Sequence, residues 1–166
     1  DSGGGAGIQA DLRTFTALGV HGTSVVSAIT AQNPKEVVAL EPIKPAMVLK
    51  QLEAVFGAFT LKAAKTGMLL AVGTVECVAE FFNEKKRLPL VVDPVMISSS
   101  GSALLQVSAL KALQAKLLPL ARLVIPNVPE AEKLAGLTIR QPEDLRTAAR
   151  ALYEIFGCAA LVKGGH

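Results

Sequence analysis

The feature that most constrains this chain is the regular alternation of its apolar periodicity between a helical and a strand type. Ile8, Leu12, Phe15 and Leu18 recur at helical spacing, and Gly19 supplies a stop. Residues 23–31, TSVVSAITA, are rich in β-branched side chains and short for a helix, so they read as a strand. A turn at Asn33 and Pro34 leads to a helix over residues 45–56, with Val48, Leu52, Val55 and Phe56 on one face. Strands follow at residues 61–66, 90–92, 123–125 and 159–162. Between them lie helices at residues 74–86, around Leu110, Leu113 and Leu117, at residues 129–135 with Gly136 as a stop, and at residues 142–156. Five strands separated by helices, with no two close enough for a tight hairpin, predict a mostly parallel sheet with helices on both faces. No linker or repeat divides the chain, so residues 1–166 form one domain.

Composition excludes several classes. With 51% hydrophobic residues over 166 positions there is material for a packed core, which excludes disorder. Seventeen Lys and Arg against fourteen Asp and Glu leave a charge of +3 without a basic run, and aromatics reach 4% without Trp, so nucleic acid is not the expected partner. No apolar run approaches the length of a membrane span, and a soluble chain is expected. Cys77 and Cys158 have neither the number nor the spacing of a disulfide framework or zinc site, which suits a reducing cytoplasm. The start at Asp1, without Met or secretory signal, suggests a piece of a longer protein.

In an open parallel sheet, ligands bind at the carboxyl ends of the strands, where the loops gather and helix N-termini point inward. Those ends carry Gln32–Asn33, Gly67–Met68, the Asp93-Pro94-Val95-Met96 segment, Asn127 with Glu130, and Lys163 with two glycines. The opening DSGGGAG runs into a helix. Its glycines let backbone approach a ligand and the free amides of the helix N-terminus favour an oxyanion or polar group, unless it is only an entry loop. It is no Walker A, because no GxxxxGK[ST] occurs, and Ile8 replaces the last glycine of GxGxxG. Asp11 lies in the first turns of that helix, either as a functional carboxylate or as a complement to the helix dipole. Asp93 emerges at the end of the apolar Leu90-Val91-Val92, a place where a carboxylate points to function. Asn127 and Glu130 have the spacing of a capping box, and the same pattern can hold hydrated Mg²⁺. Lys163 is either a phosphate-neutralising cation or a solvated strand-end lysine. Met68 and Met96 would ordinarily fill a core.

The stretches 1–33, AAKTGML (63–69), LVVDPVM (90–96), VIPNVPEAEKL (124–134) and LVKGGH (161–166) resemble, in order, the hydroxymethylpyrimidine and phosphomethylpyrimidine kinases of thiamine biosynthesis, within the ribokinase-like family. The resemblance implies a three-layer α/β fold and transfer of the ATP γ-phosphoryl to 4-amino-5-hydroxymethyl-2-methylpyrimidine and then to its monophosphate. It implies that Gly5, Asp11, Gln32, Gly67, Met68 and Val95 bind the pyrimidine. An aminopyrimidine edge, with an N–H donor beside a ring acceptor, suits a carboxylate or amide. Asn127 and Lys163 are implied at the ATP phosphates, Glu130 and Asp93 at Mg²⁺, and Lys163 and Asp93 in support of catalysis. A homodimer is expected. Two positions depart from the family pattern: Ser102 stands where Asp is usual and Glu36 where Gly is common.

Family chains also begin with a strand before the glycine loop. They continue past the KGGH element to a Gly-Thr-Gly anion hole, which nothing here matches, so the 166 residues alone are expected to be inactive. The alternatives are a pyridoxal kinase of the same family, whose substrate also carries a hydroxymethyl on a heteroaromatic ring, and a truncated fragment that binds a pyrimidine without catalysis.

Overall fold

The computed structural model describes residues 1–96 and 107–164. It opens with helix α1 (Gly7–Ala17), followed by an antiparallel ribbon of β1 (Ala28–Gln32) and β2 (Val37–Pro42), and then helix α2 (Pro45–Ala58). The ribbon corrects the expectation that no hairpin exists. Its turn needs no glycine, because the Asn33 side chain accepts hydrogen bonds from Lys35 N (2.8 Å) and Glu36 N (3.2 Å) while Asn33 N donates to Glu36 O (3.0 Å). Glu36 therefore sits at a common glycine position without positive φ.

The strand expected over residues 23–31 is likewise corrected. Residues 20–27 belong to no strand, and β1 starts at Ala28, in the ribbon and outside the parallel sheet. The cause is a side chain: Gln51 of α2 accepts from Val26 N (2.9 Å) and donates to Val26 O (3.0 Å), giving that backbone the partners a strand would have supplied.

The parallel sheet runs β3 (Ala64–Thr66), β4 (Leu90–Val92), β5 (Leu123–Val124) and β6 (Ala159–Ala160), in that order. Between its strands come α3 (Val72–Asn83), then α4 (Val107–Ala112) running into a π-helical turn (Leu113–Leu117) and a 3-10 turn (Leu118–Leu120), and then α5 (Val128–Ala135) and α6 (Pro142–Phe156). Both α5 and α6 end at glycines of positive φ, Gly136 (67°) and Gly157 (73°).

Register decides which face each side chain takes. Thr66, Val92, Val124 and Ala160 lie side by side, with Val92 and Val124 fully buried in the core shared with Val75, Leu117, Leu118 and Leu152. Lys65, Val91, Leu123 and Ala159 occupy the opposite face, and it is there that α1 is attached, through an ion pair from Asp11 to Lys65. Helices thus lie on both sides of the sheet, although α1 itself buries no residue completely. Full burial of one leucine side chain such as Leu152 contributes about 1.5–3 kcal/mol. Among the described residues, no helix is long and apolar enough to cross a membrane.

Candidate functional site

The opening glycine loop is organised by its first residue. Asp1 Oδ1 accepts from Gly3 N (2.7 Å), and Oδ2 accepts from Gly5 N (3.1 Å) and Ala6 N (2.9 Å). Three loop amides are therefore taken by a carboxylate within the loop, while the N-terminus of α1, which starts at Gly7, has no side-chain cap from Ala6. Gly4 (φ 71°) supplies the backbone turn, and its carbonyl accepts from Arg13 Nη1 at 2.7 Å. Gly5 leaves open space where a Cβ would stand, so what it offers a ligand is clearance, its N–H being occupied. Ser2 Oγ donates to Gln32 O (2.8 Å) and accepts from Gln32 N (2.7 Å), which fastens the loop to the end of β1. Gln32 is thus placed against the glycine loop.

The second group lies beyond β3. Lys65 Nζ contacts both oxygens of Asp11, at 3.0 and 3.1 Å, with both side chains about a third exposed or less. The same ammonium stands 3.9 Å from where a Cβ on Gly67 would be, so Gly67 leaves room beside it. Ser27 Oγ donates to Met68 O (2.6 Å), joining the segment before β1 to the loop after β3. In that loop Leu70 holds φ 62°, a left-handed conformation that costs a non-glycine residue about 1 kcal/mol or more. Gly67, Asp93 and Val95 line one small crevice of about 10 Å³, room for about one water, together with Leu69, Pro94 and Leu113.

The third group spans the ends of β4, β5 and β6. Lys163 Nζ reaches Asp93 Oδ1 at 3.2 Å, and the strands are carried on past their ends by a parallel bridge between Asn127 and Lys163. Asn127 caps α5: its side chain accepts from Glu130 N (2.9 Å), while Glu130 Oε2 accepts from Asn127 N (2.9 Å). Glu130 Oε1 also accepts from Met96 N (3.1 Å), so one carboxylate ties the β4 loop to the start of α5. Glu130 is only 3% exposed. Burial pushes its carboxyl above the ordinary carboxylate range, assisted by the charge of Asp93 and opposed by the two backbone bonds and by Lys163. Met96 is core.

The structure links several of the expected site residues and leaves Gly5 and Gln32 in a separate group of their own. Asp11 and Gly67 meet at Lys65; Gly67, Asp93 and Val95 share a crevice; and Asp93, Lys163, Asn127 and Glu130 are joined by hydrogen bonds, ion pair and bridge. Gln32 and Gly5 join through Ser2 and Asp1. Lys65 was missed, although strand alternation alone puts it on the face opposite Thr66; so were the organising roles of Asp1, Ser2 and Ser27. Ser102 and the last two residues of the KGGH element lie outside the described residues.

Among the described residues no three or more His, Cys, Asp or Glu gather in a way that could hold a metal ion. The donor set suits Mg²⁺ only in its sparing mode, one carboxylate with waters and phosphate oxygens. Asp93 meets that need with Oδ2, which has no protein partner among the described residues. Glu130, buried with both oxygens bonded to backbone, stands behind it.

Comparison with known proteins identifies the family. The family model described as phosphomethylpyrimidine kinase matches residues 1–166. The chain is 48% identical over 166 residues to the hydroxymethylpyrimidine/phosphomethylpyrimidine kinase of Haemophilus influenzae, covering all of this chain and 62% of that protein. The crystal structure of phosphomethylpyrimidine kinase from Clostridium difficile superimposes with a TM-score of 0.90 at 43% identity, over 100% of this chain and 72% of that one. Pyridoxal kinase from Staphylococcus aureus, solved with AMP-PCP and pyridoxal, gives a TM-score of 0.84 at 32% identity, over 99% of this chain and 59% of that one. With residues 1–166 matched by the family model, the chain belongs to the phosphomethylpyrimidine kinase family.

Proposed function

We propose that the protein containing this chain transfers the γ-phosphoryl group of ATP to 4-amino-5-hydroxymethyl-2-methylpyrimidine and to its monophosphate. The observation that carries the reading is that Gly67, which lies beside the Lys65–Asp11 pair, and Asp93, which is paired with Lys163, line one small crevice together with Val95. The ring is held between Asp11 and Val95, with Gln32 and Met68 closing its sides and Gly5 and Gly67 leaving clearance. Its hydroxymethyl then points toward Asp93. Lys163 and Asn127 lie where ATP phosphates would arrive. The Lys163 ammonium neutralises charge that builds up on the transferring group. Asp93 would hold Mg²⁺ through Oδ2, and Glu130 fixes the loops on either side. When bound, Mg²⁺ draws charge from the phosphate oxygens.

The pyrimidine reading is preferred to a pyridoxal kinase because the pyrimidine relatives match at 43–48% identity and the pyridoxal kinase at 32%. Self-association through the β1–β2 ribbon belongs to the same proposal, since Ile29 and Val38 stand 58% and 67% exposed there. A cytoplasmic location fits cysteines that are both free. The test is turnover of the full-length protein on the two substrates under identical ATP and Mg²⁺. Preferential phosphorylation of the pyrimidine supports the reading; preference for pyridoxal, or transfer to neither, overturns it.

A further inference from the structure

We propose that Lys65 reads the substrate directly, donating a hydrogen bond to the ring nitrogen beside the amino group while Asp11 accepts from that amino group. The inference rests on the pyrimidine reading above and adds to it the residue that recognises one specific ring atom. Lys65 projects from β3 on the face opposite Thr66 and reaches both oxygens of Asp11, at 3.0 and 3.1 Å. An ammonium has three N–H donors, and two are used there. Among the described residues no other acceptor takes the third. The ammonium also stands beside Gly67, 3.9 Å from where a side chain would begin, and Gly67 itself lines the crevice that Asp93 and Val95 share.

An ammonium beside a carboxylate offers a donor next to an acceptor. A 4-aminopyrimidine offers the complement on one edge, an N–H next to a ring nitrogen lone pair. A glycine at position 67 is what lets a flat ring approach that pair. The side chains of Lys65 and Asp11 are 27% and 33% exposed, open enough to exchange water for a ligand.

The pair could instead serve only to hold α1 on the sheet, so the test must read a ligand atom and not merely a loss of affinity. The full-length wild type, Lys65→Met and Lys65→Arg are titrated calorimetrically with the aminopyrimidine and with its pyridine analogue, in which the ring nitrogen beside the amino group is replaced by CH. The wild type should prefer the pyrimidine by about tenfold to a hundredfold, the worth of one hydrogen bond to a charged group. Lys65→Met should bind the two ligands alike, and Lys65→Arg should recover part of the preference. An unchanged preference in Lys65→Met overturns the proposal while leaving the pyrimidine reading intact; a wild type that binds neither ligand overturns both. Should Lys65→Met fail to fold, the wild type bound to ¹⁵N-labelled pyrimidine decides: an upfield shift of that ring nitrogen on binding supports the contact, and no shift overturns it.

Discussion

Replacing Glu130 by Gln in the full-length protein separates a loop clamp from a metal ligand. The carboxylate holds two backbone N–H groups, from Met96 at 3.1 Å and Asn127 at 2.9 Å, in a site 3% exposed. Glutamine keeps one acceptor oxygen and turns an NH₂ toward the other N–H, leaving that buried donor unsatisfied at about 1–3 kcal/mol. Removing a buried charge partly offsets this, so the orphaned donor wins and the net loss is about 1–2 kcal/mol. In urea that lowers the midpoint by about 0.5–1 M. The pH dependence has a definite sign. Burial raises the folded-state pKa of Glu130, so its contribution to stability is fully present below the ordinary carboxylate pKa and is lost as pH rises through the raised value. A protonated carboxyl still accepts through its hydroxyl oxygen, which an amide nitrogen cannot do. The deficit of Glu130→Gln should therefore widen as pH falls from neutral to mildly acid. A variant as stable as wild type across that range, with Mg²⁺ affinity reduced tenfold, would refute the clamp and make Glu130 a metal ligand.

Asp1→Ala removes the acceptor of three loop amides, and should cost about 1–2 kcal/mol and speed hydrogen exchange at Gly3, Gly5 and Ala6; unchanged exchange would contradict the capping role. Gly157→Ala should cost about 1 kcal/mol in thermal or urea unfolding, because φ is 73° and the space for a methyl group is open; a loss above 3 kcal/mol would mean a clash. Lys163→Met should leave pyrimidine affinity within about twofold while reducing turnover by about a hundredfold or more, and an equal loss in both would place Lys163 in the ring pocket.

Long periodic segments were legible from sequence because burial on one face writes itself into spacing. Val48 and Leu52 of α2, and Leu152 and Phe156 of α6, are buried as expected, while Ala148 is buried in α6 where Ala149 was expected. The capping box at Asn127 and Glu130 was legible for the same local reason. What failed depended on partners far apart in sequence. Residues 23–27 have strand composition, yet Gln51 satisfies Val26 from a helix 25 positions on. The turn at Asn33 was legible, but the strand after it, β2, was not, because a turn built on an asparagine side chain lacks the glycine that usually marks a hairpin. Nothing local announces that Asp1 folds back onto the amides of Gly3, Gly5 and Ala6, and Lys65 looked like an ordinary strand residue until Asp11 arrived from 54 positions away. Spacing can place a carboxylate on a rim, but it does not say which cation will meet it there.

The central claim is that a single rim reads the pyrimidine at Asp11 and handles phosphate at Lys163. A crystal structure of the full-length protein with the aminopyrimidine and a non-hydrolysable ATP analogue tests it most directly. The account predicts the ring against Asp11, Lys65 and Val95, its hydroxymethyl oxygen directed toward Asp93, and the terminal phosphate within hydrogen-bond reach of Lys163. A ring bound away from Asp11, or phosphates held on the far edge of the sheet with Lys163 still paired only to Asp93, would contradict it.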